Sequence, residues 1–159
     1  MQPTASRSQF IIVAAPIVIV LLVIVAAYLS FRQSRFGHGS VMIGDSLSIQ
    51  VDVANNDKTR EKGLSGRARL GPDDGMLFLF PSEARYGFWM KGMRFPIDIV
   101  WIRKGEIVDL TTSVPPPAKG QTELPSYFPM GMVDAVLELP AGFAQAHGLR
   151  SGLVVKYVH

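Results

Sequence analysis

Residues 10–29, FIIVAAPIVIVLLVIVAAYL, contain no charged side chain, and this run limits the architecture more than any other feature of the chain. As an α-helix, a run of this length would extend about 30 Å, which is the thickness of the hydrocarbon core of a bilayer. Phe10, Tyr28 and Phe31 lie at or next to its ends, where aromatic side chains suit the membrane interface. The run therefore predicts a single transmembrane helix over residues 10–29, with the membrane as a partner of the chain.

A cleaved signal peptide is the alternative interpretation of this segment, because residues 25–27 (Val-Ala-Ala) could form a small-residue cleavage site. The apolar run is longer than the roughly 7–15 residues of a signal peptide, which favours an uncleaved signal anchor. The predicted organisation is a tail over residues 1–9, the transmembrane helix, a polar tether over residues 30–40 and a globular domain over residues 41–159.

The basic charge of the chain belongs to the flanks of the apolar run. The formal net charge is +3 and the isoelectric point is about 9.4. Of the 16 Lys and Arg residues, Arg7, Arg32 and Arg35 precede residue 37, which leaves 13 to face the 13 Asp and Glu residues of the globular part. A domain with balanced charge lacks the basic surface that tracks phosphates, so nucleic acid is not expected as a partner.

Strand patterns dominate the globular part. Apolar and polar residues alternate in residues 47–53, as in a half-buried strand. Six further segments have strand length, namely residues 76–80, 87–91, 97–102, 106–114, 133–139 and 153–158. Two short helices are predicted over residues 57–63 and 142–148. The expected fold class is a strand-rich α+β domain, with a single antiparallel sheet that forms a barrel or a sandwich.

Residues 114–130 contain five prolines and cannot form a regular helix or a central strand. A loop of this length is either a lid or binding loop, or a stiff cover over an apolar edge. The residues alone leave both interpretations open.

No metal, cofactor or catalytic motif is recognisable in the sequence. The three histidines, His38, His147 and His159, do not have metal-ligand spacing, and the chain contains no cysteine. Neither a nucleophile elbow nor a phosphate-binding glycine loop occurs. We therefore expect no catalytic residue of a known motif, no bound metal and no cofactor.

Two carboxylates, Asp98 and Glu138, occur within strands that are apolar on both faces. A buried carboxylate must be paired or hydrogen-bonded. The expected partners are the basic residues Arg60, Arg67 and Lys91, because a cation can satisfy a buried carboxylate. The pattern leaves open whether these groups form structural ion pairs or carry out acid–base chemistry.

Four segments of the globular part follow one another in a distinctive order: TREKGLSGRARLGPDDGMLFLF (59–80), FWMKGMRFPIDIVWI (88–102), VLELPAG (136–142) and HGLRSG (147–152). This order resembles the domain of unknown function 192 family, also known as uncharacterised protein family 0127, over about residues 47–157. The resemblance implies a strand-rich single domain outside the cytoplasm. The protein would then be a single-pass protein of the inner (plasma) membrane, or a secreted or periplasmic protein if the N-terminal segment is cleaved. The family has no assigned activity.

The chain departs from the family pattern at two places. The family usually continues Trp-Met-Lys with Asn and Thr, where this chain has Gly92 and Met93. It also usually has Met at the position of Ser65. If the Asn and Thr of relatives contact a ligand, that contact is lost here; if they only shape a turn, Gly92 can do the same.

We interpret the globular part as a binding module for a small ligand, a glycan or an envelope protein. The candidate ligand-binding residues are Arg60, Arg67, Trp89, Lys91, Asp98 and Glu138. A hydrolase or transferase that uses Asp98 or Glu138 is one alternative. A structural or assembly protein, whose charges only pair with one another, is the other.

Overall fold

The computed structural model describes residues 16–26 and 35–158, which fall in two units, Met1–Arg35 and Phe36–His159. In the first unit, residues 16–26 form helix α1. No helix within the described ranges is long and apolar enough to cross a membrane. This finding contradicts the predicted transmembrane helix for residues 16–26, the part of the predicted span that the structure describes. Residues 10–15 and 27–29 lie outside the described ranges.

The second unit is built on one seven-stranded sheet, with the strand order β6-β5-β8-β3-β2-β1-β9. Its strands are β1 (Gly37–Ile43), β2 (Leu47–Ala54), β3 (Asp74–Ala84), β5 (Ile97–Arg103), β6 (Glu106–Val114), β8 (Val133–Pro140) and β9 (Val155–Val158). A separate two-stranded ribbon pairs β4 (Phe88–Trp89) with β7 (Ser126–Tyr127). Two short helices complete the unit, α2 (Asp57–Lys62) and α3 (Phe143–Ala146). Strand β1 begins within the predicted tether, so the folded unit starts earlier than residue 41.

The sheet is mixed and forms a half-barrel, which corrects the predicted antiparallel barrel or sandwich. Strands β2 and β3 are parallel, with Val51 opposite Gly75, whereas the other neighbours in the sheet are antiparallel. The connection between β2 and β3 contains α2, and a crossover of this kind is what a parallel pair requires. The start of β6 meets the chain before β9 at a single bridge between Glu106 and Val154. The predicted strand-rich α+β class is confirmed, whereas the predicted antiparallel barrel or sandwich is wrong.

Helix α2 is fixed at both ends by its own sequence. The side chain of Asn56 accepts a hydrogen bond from the backbone N–H of Thr59 at 3.1 Å, and Thr59 Oγ1 accepts one from the N–H of Asn56 at 3.2 Å. This reciprocal capping box satisfies two backbone donors at the N-terminus of the helix. Gly63 ends the helix with φ of +46°, and its N–H donates to the carbonyl oxygen of Thr59 at 2.9 Å.

Each face of the sheet carries its own hydrophobic core. The Val100 cluster on one face includes Val53, Leu77, Val100, Leu137, Leu139 and Phe143. The Trp101 cluster on the other face includes Leu64, Met76, Phe78, Met90, Ile99, Trp101 and Val136. Because neighbours along a strand point to opposite faces, Val100 and Trp101 belong to different cores. Strands β3, β5 and β8 are therefore apolar on both sides, which explains the nearly continuous apolar runs in their sequences.

The proline-rich loop covers part of the Trp101 cluster. Its strand β7 pairs with β4, with Tyr127 opposite Phe88, and Tyr127 packs against this cluster. The carbonyl oxygen of Pro129 accepts a hydrogen bond from Arg85 Nε at 3.1 Å. These contacts correspond to the interpretation of residues 114–130 as a cover.

Candidate functional site

A cavity of about 350 Å³ lies on the face of the sheet that carries the Trp101 cluster. Three parts of the chain form its walls: the end of α2 with the following turn, strand β3, and the segment from Tyr86 to Met93. Strand β8 contributes one residue, Glu138. The full lining is Arg60, Glu61, Lys62, Gly63, Leu64, Ser65, Phe78, Phe80, Tyr86, Gly87, Phe88, Trp89, Lys91, Met93 and Glu138.

Glu138 is placed at this cavity by the register of the central strand. Strand β8 lies between β5 and β3, and Glu138 is opposite Ile99 on one side and Met76 on the other. Both neighbours belong to the Trp101 cluster. Since paired residues in a sheet share a face, the carboxyl group of Glu138 enters that cluster rather than solvent.

The walls of the cavity are aromatic and packed against one another. Phe80 stacks on Tyr86, with 3.6 Å between ring centroids and 12° between ring planes. Phe88 meets Phe78 edge-to-face at 4.9 Å and Trp101 at 5.5 Å. Such contacts fix ring positions beyond the effect of burial alone. The cavity therefore has preformed apolar walls.

Glu138 is the buried polar group of this cavity. The residue is only 5% exposed, and its Oε2 atom has no hydrogen-bond partner among the described residues. Burial raises the pKa of the Glu138 carboxyl from 4.5 to about 8, and the nearby charge of Arg67 opposes the shift. At neutral pH the group therefore carries a proton and can donate a hydrogen bond.

Cations surround the cavity without neutralising Glu138. Arg60 Nη1 donates to the carbonyl oxygen of Leu79 at 2.7 Å, and its guanidinium lies 5.4 Å from the centroid of Phe80. Exposed Lys91 places its ammonium 5.9 Å from the centroid of Trp89, which is itself 54% exposed. The predicted ion pair between Glu138 and one of these cations is absent from the described residues.

Arg67 belongs to a neighbouring cluster rather than to the cavity wall. Its Nη2 atom donates to Asp52 Oδ2, and the other oxygen of Asp52 lies 2.7 Å from His38 Nδ1. The guanidinium also lies over the ring of Phe36, 5.5 Å from its centroid. Arg67 thus acts on Glu138 through its charge, without a hydrogen bond to it.

Asp98 lies outside the cavity, and its predicted pairing with Arg60, Arg67 or Lys91 is wrong. The side chain is fully buried and accepts hydrogen bonds from two backbone N–H groups, that of Ser113 at 2.8 Å and that of Ala144 at 2.9 Å. Backbone donors can satisfy a buried carboxylate as well as a cation can. Asp98 therefore fastens helix α3 and the end of β6 to β5, which is a structural role.

The chain departs from the family pattern at Ser65 and at Gly92, and these two residues lie against each other in a turn beside the cavity. Gly92 has φ of +71°, and a Cβ atom at this position would overlap Ser65 Oγ. The carbonyl oxygen of Gly92 accepts a hydrogen bond from the N–H of Gly66 at 2.9 Å. Because only glycine adopts this conformation without strain, Gly92 shapes a turn against Ser65.

Of the six candidate residues, four line the cavity, namely Arg60, Trp89, Lys91 and Glu138, whereas Arg67 and Asp98 do not. The prediction missed most of the aromatic wall, including Phe80, Tyr86 and Phe88. Phe88 alternates with Trp89 in β4, so the pattern favoured a core position for it. Phe80 and Tyr86 are brought together by the end of β3, for which the sequence carries no signal of contact.

The described residues contain no group of three or more His, Cys, Asp and Glu side chains placed to hold a metal ion. The cavity combines aromatic walls with one buried carboxyl group and cations. Its lining is therefore that of a site for an organic molecule rather than for a metal ion.

A curled mixed sheet with an aromatic cavity on one face defines a single-domain, strand-rich α+β protein. Residues 40–157 match the model of the DUF192 family, described as an uncharacterized ACR. The chain belongs to this family, which has no established biochemical function. No curated protein matches the chain.

Two solved structures are similar to this fold. One is from Sinorhizobium meliloti 1021 and is described as a candidate transcription regulator. It is 26% identical, with a TM-score of 0.68 over 77% of this chain and 95% of its own. The other, a protein of unknown function from Novosphingobium aromaticivorans DSM 12444, is 24% identical, with a TM-score of 0.66 over 74% of this chain and 83% of its own. The similarity to this second structure supports the fold alone.

Proposed function

We propose that this protein is a binding domain for a small organic molecule, which enters the aromatic cavity lined by Glu138. The observation that carries the proposal is the buried Oε2 atom of Glu138, which lacks a hydrogen-bond partner among the described residues. An unsatisfied buried polar atom is destabilising, typically by about 1–3 kcal/mol. A ligand atom within the cavity would satisfy it.

The dimensions of the cavity favour a small ligand over a glycan chain or a protein surface. Its volume of about 350 Å³ is near the lower end of the range for small-molecule sites, roughly 300–1,000 Å³. Five of the 15 lining residues are aromatic, and five charged side chains, Arg60, Glu61, Lys62, Lys91 and Glu138, supply the polar groups that can orient a ligand. Apolar walls with a small number of directed polar groups are typical of such sites.

Binding is favoured over hydrolysis or group transfer, because the second candidate acid does not share the cavity with Glu138 and the other acid of the lining, Glu61, is exposed. The other candidate acid, Asp98, is on the opposite face of the sheet and is saturated by backbone donors. General acid–base catalysis by two carboxylates needs both groups at one reacting centre. The arrangement supports a hydrogen-bond donor for a bound molecule instead.

The description of the Sinorhizobium meliloti relative suggests a role in transcription, but the charges of this chain do not favour contact with nucleic acid. After residue 36 the chain carries 13 basic and 13 acidic residues. Nucleic-acid binding relies on an excess of Lys and Arg along one surface. The proposal is therefore limited to a small-molecule ligand.

Three matched probes test the proposal on the full chain. They share a 4-methoxyphenyl ring, whose ether oxygen can only accept a hydrogen bond, on a three-carbon chain that ends in a carboxylate, an alcohol or an amine. Binding is followed by NMR chemical-shift changes of Gly87, Trp89 and Glu138, which line the cavity. We expect at least one probe to shift these signals in a saturable way. If none of the three does so, the cavity is not a binding site and the proposal fails.

A blocking variant and its control locate the binding. Ser65→Phe places a ring in the cavity wall, whereas Asn55→Phe adds the same ring at an exposed position outside the lining. Circular dichroism shows whether both variants are folded. We expect binding to be lost in Ser65→Phe and kept in Asn55→Phe, and equal binding by the two variants would place the probe elsewhere.

A further inference from the structure

The cavity is asymmetric from its buried end to its exposed end. Glu138 is buried, whereas the lysines of the lining, Lys62 and Lys91, are exposed and mark the mouth. Neither lysine forms an ion pair within the described residues. One acidic residue of the lining, Glu61, is also exposed, so the cations outnumber the acids at the mouth.

The aromatic rings do not provide a cage for a ligand cation. Phe80 already has the guanidinium of Arg60 5.4 Å from its centroid and the ring of Tyr86 stacked on it at 3.6 Å. The ring of Trp89 has the ammonium of Lys91 5.9 Å from its centroid. Since two of the five rings in the lining already face the protein's own cations, a ligand amine near them would meet like charges.

We propose that the ligand is an organic acid with an apolar body: its carboxylate meets the lysines at the mouth, and an oxygen acceptor at its other end accepts a hydrogen bond from Glu138. This inference rests on the proposed function and specifies its ligand class. The exposed end of the ligand keeps its charge near water, where Lys62 and Lys91 attract it at little desolvation cost. The buried end of the ligand offers only a hydrogen-bond acceptor. This suits the carboxyl group of Glu138, which is protonated and can donate.

The donor role of Glu138 makes binding depend on pH. Its strand neighbours Met76 and Ile99 are uncharged. The titratable and charged groups that share its cavity are Arg60, Glu61, Lys62, Tyr86 and Lys91, and Arg67 acts on it from outside the lining. When Glu138 loses its proton, it turns from a donor into a buried negative charge beside the ligand acceptor. Affinity should then fall, because two acceptors repel each other.

The headgroup of the ligand is tested with the three probes named above. We expect the carboxylate probe to bind roughly tenfold more tightly than the amine probe, with the alcohol between them. The double variant Lys62→Gln/Lys91→Gln should weaken the carboxylate probe by roughly tenfold and should not weaken the amine probe. Lys58→Gln/Lys156→Gln, at exposed positions outside the lining, is the matched control and should change neither.

The buried end is tested with 3-(4-ethylphenyl)propanoate, in which a methylene group replaces the methoxy oxygen of the carboxylate probe. We expect it to bind more weakly to the wild-type protein, and we expect affinity for the methoxy probe to fall as the pH rises through about 8. Glu138→Gln, whose amide N–H can still donate, should bind the methoxy probe without this pH dependence. Measurements at pH 6 and pH 9 by isothermal titration calorimetry separate these cases.

Each outcome bears on one of the two claims. If the amine probe binds as tightly as the carboxylate probe, the proposed ligand class is wrong although the cavity still binds. If the methoxy oxygen adds nothing, or if Glu138→Gln retains the pH dependence, the proposed contact with Glu138 is wrong. If no probe binds, the proposed function itself fails. This result can be told apart from a wrong ligand class and from a wrong contact with Glu138.

Discussion

Asp98 and Glu138 lie on opposite faces of the same sheet, on paired strands and one register step apart. Ile99 is opposite Glu138, and Asp98 is opposite Leu139. Ile99 belongs to the Trp101 cluster, whereas Leu139 belongs to the Val100 cluster. The two carboxyl groups therefore cannot share a cleft, and each has its own role.

The role of Asp98 is to hold two backbone segments, and removing its side chain should destabilise the fold. Asp98→Ala leaves the N–H groups of Ser113 and Ala144 without their acceptor. Hydrogen bonds to charged groups contribute about 1.5–3 kcal/mol each, so we expect a loss of about 3 kcal/mol in the free energy of unfolding. Asp98→Asn, which keeps one acceptor oxygen, should lose less.

Urea unfolding measures these losses. Asp45→Ala, at an exposed turn position, is the control and should lie close to the wild type. Removing Arg60, Arg67 or Lys91 in addition should not rescue Asp98→Ala, since none of them contacts it. An unchanged unfolding midpoint for Asp98→Ala would contradict the structural role.

The contact between Gly92 and Ser65 should appear as coupling between substitutions. Gly92→Ala must adopt φ of +71° and places a methyl group on Ser65 Oγ. The left-handed conformation alone destabilises a non-glycine residue by about 1–2 kcal/mol. We expect Ser65→Gly to recover only the steric part of the loss in the double variant. Strictly additive effects in a double-mutant cycle would show that the two residues do not touch.

The buried proton of Glu138 should make stability depend on pH. The pKa is raised from 4.5 to about 8, so between these values the folded protein keeps a proton that the unfolded chain has released. The free energy of unfolding should then decrease as the pH rises from about 4.5 to about 8, on the order of a few kcal/mol, and level off above that.

Glu138→Gln removes this titration. Its stability should match the wild type most closely near pH 5 and exceed it near pH 9 in thermal unfolding. Glu106→Gln, at an exposed position, is the control and should follow the wild-type profile. Parallel profiles for the wild type and Glu138→Gln would contradict a buried proton.

The place of the domain outside the cytoplasm stays a prediction from the family resemblance. The chain has no cysteine, so a single introduced cysteine can be labelled specifically. Lys119→Cys lies in the exposed part of the proline-rich loop. In intact cells it should react with a membrane-impermeant maleimide, and labelling only after lysis would place the domain inside.

Local patterns predicted seven of the nine strands in the described residues, because alternation is a property of the chain itself, but they did not predict β1 or β7. The runs at residues 97–102 and 133–139 were recognised as covered on both faces and correspond to β5 and β8. Pairing between distant strands leaves no such pattern. The parallel contact of β2 with β3, which contradicts the predicted antiparallel sheet, depends on the crossover through α2 rather than on either strand.

The site was only half predictable for the same reason. The buried carboxyl of Glu138 could be expected from its apolar surroundings in the sequence. Its lack of a partner could not, because that depends on Arg67 pairing with Asp52 and on Arg60 bonding to Leu79. The partners of Asp98 were invisible as well, since backbone N–H groups exist at every non-proline residue and only the fold selects two of them.

The central claim is that Glu138 carries a proton that a ligand acceptor uses, and the most direct measurement is the pKa of its carboxyl group. It can be read from the ¹³C shift of Cδ during a pH titration, with Glu138→Gln to assign the signal. The account predicts a pKa of about 8 in the free protein, moved higher when 3-(4-methoxyphenyl)propanoate is bound. A pKa near 4.5 in the free protein, or a pKa lowered by this probe, would contradict it.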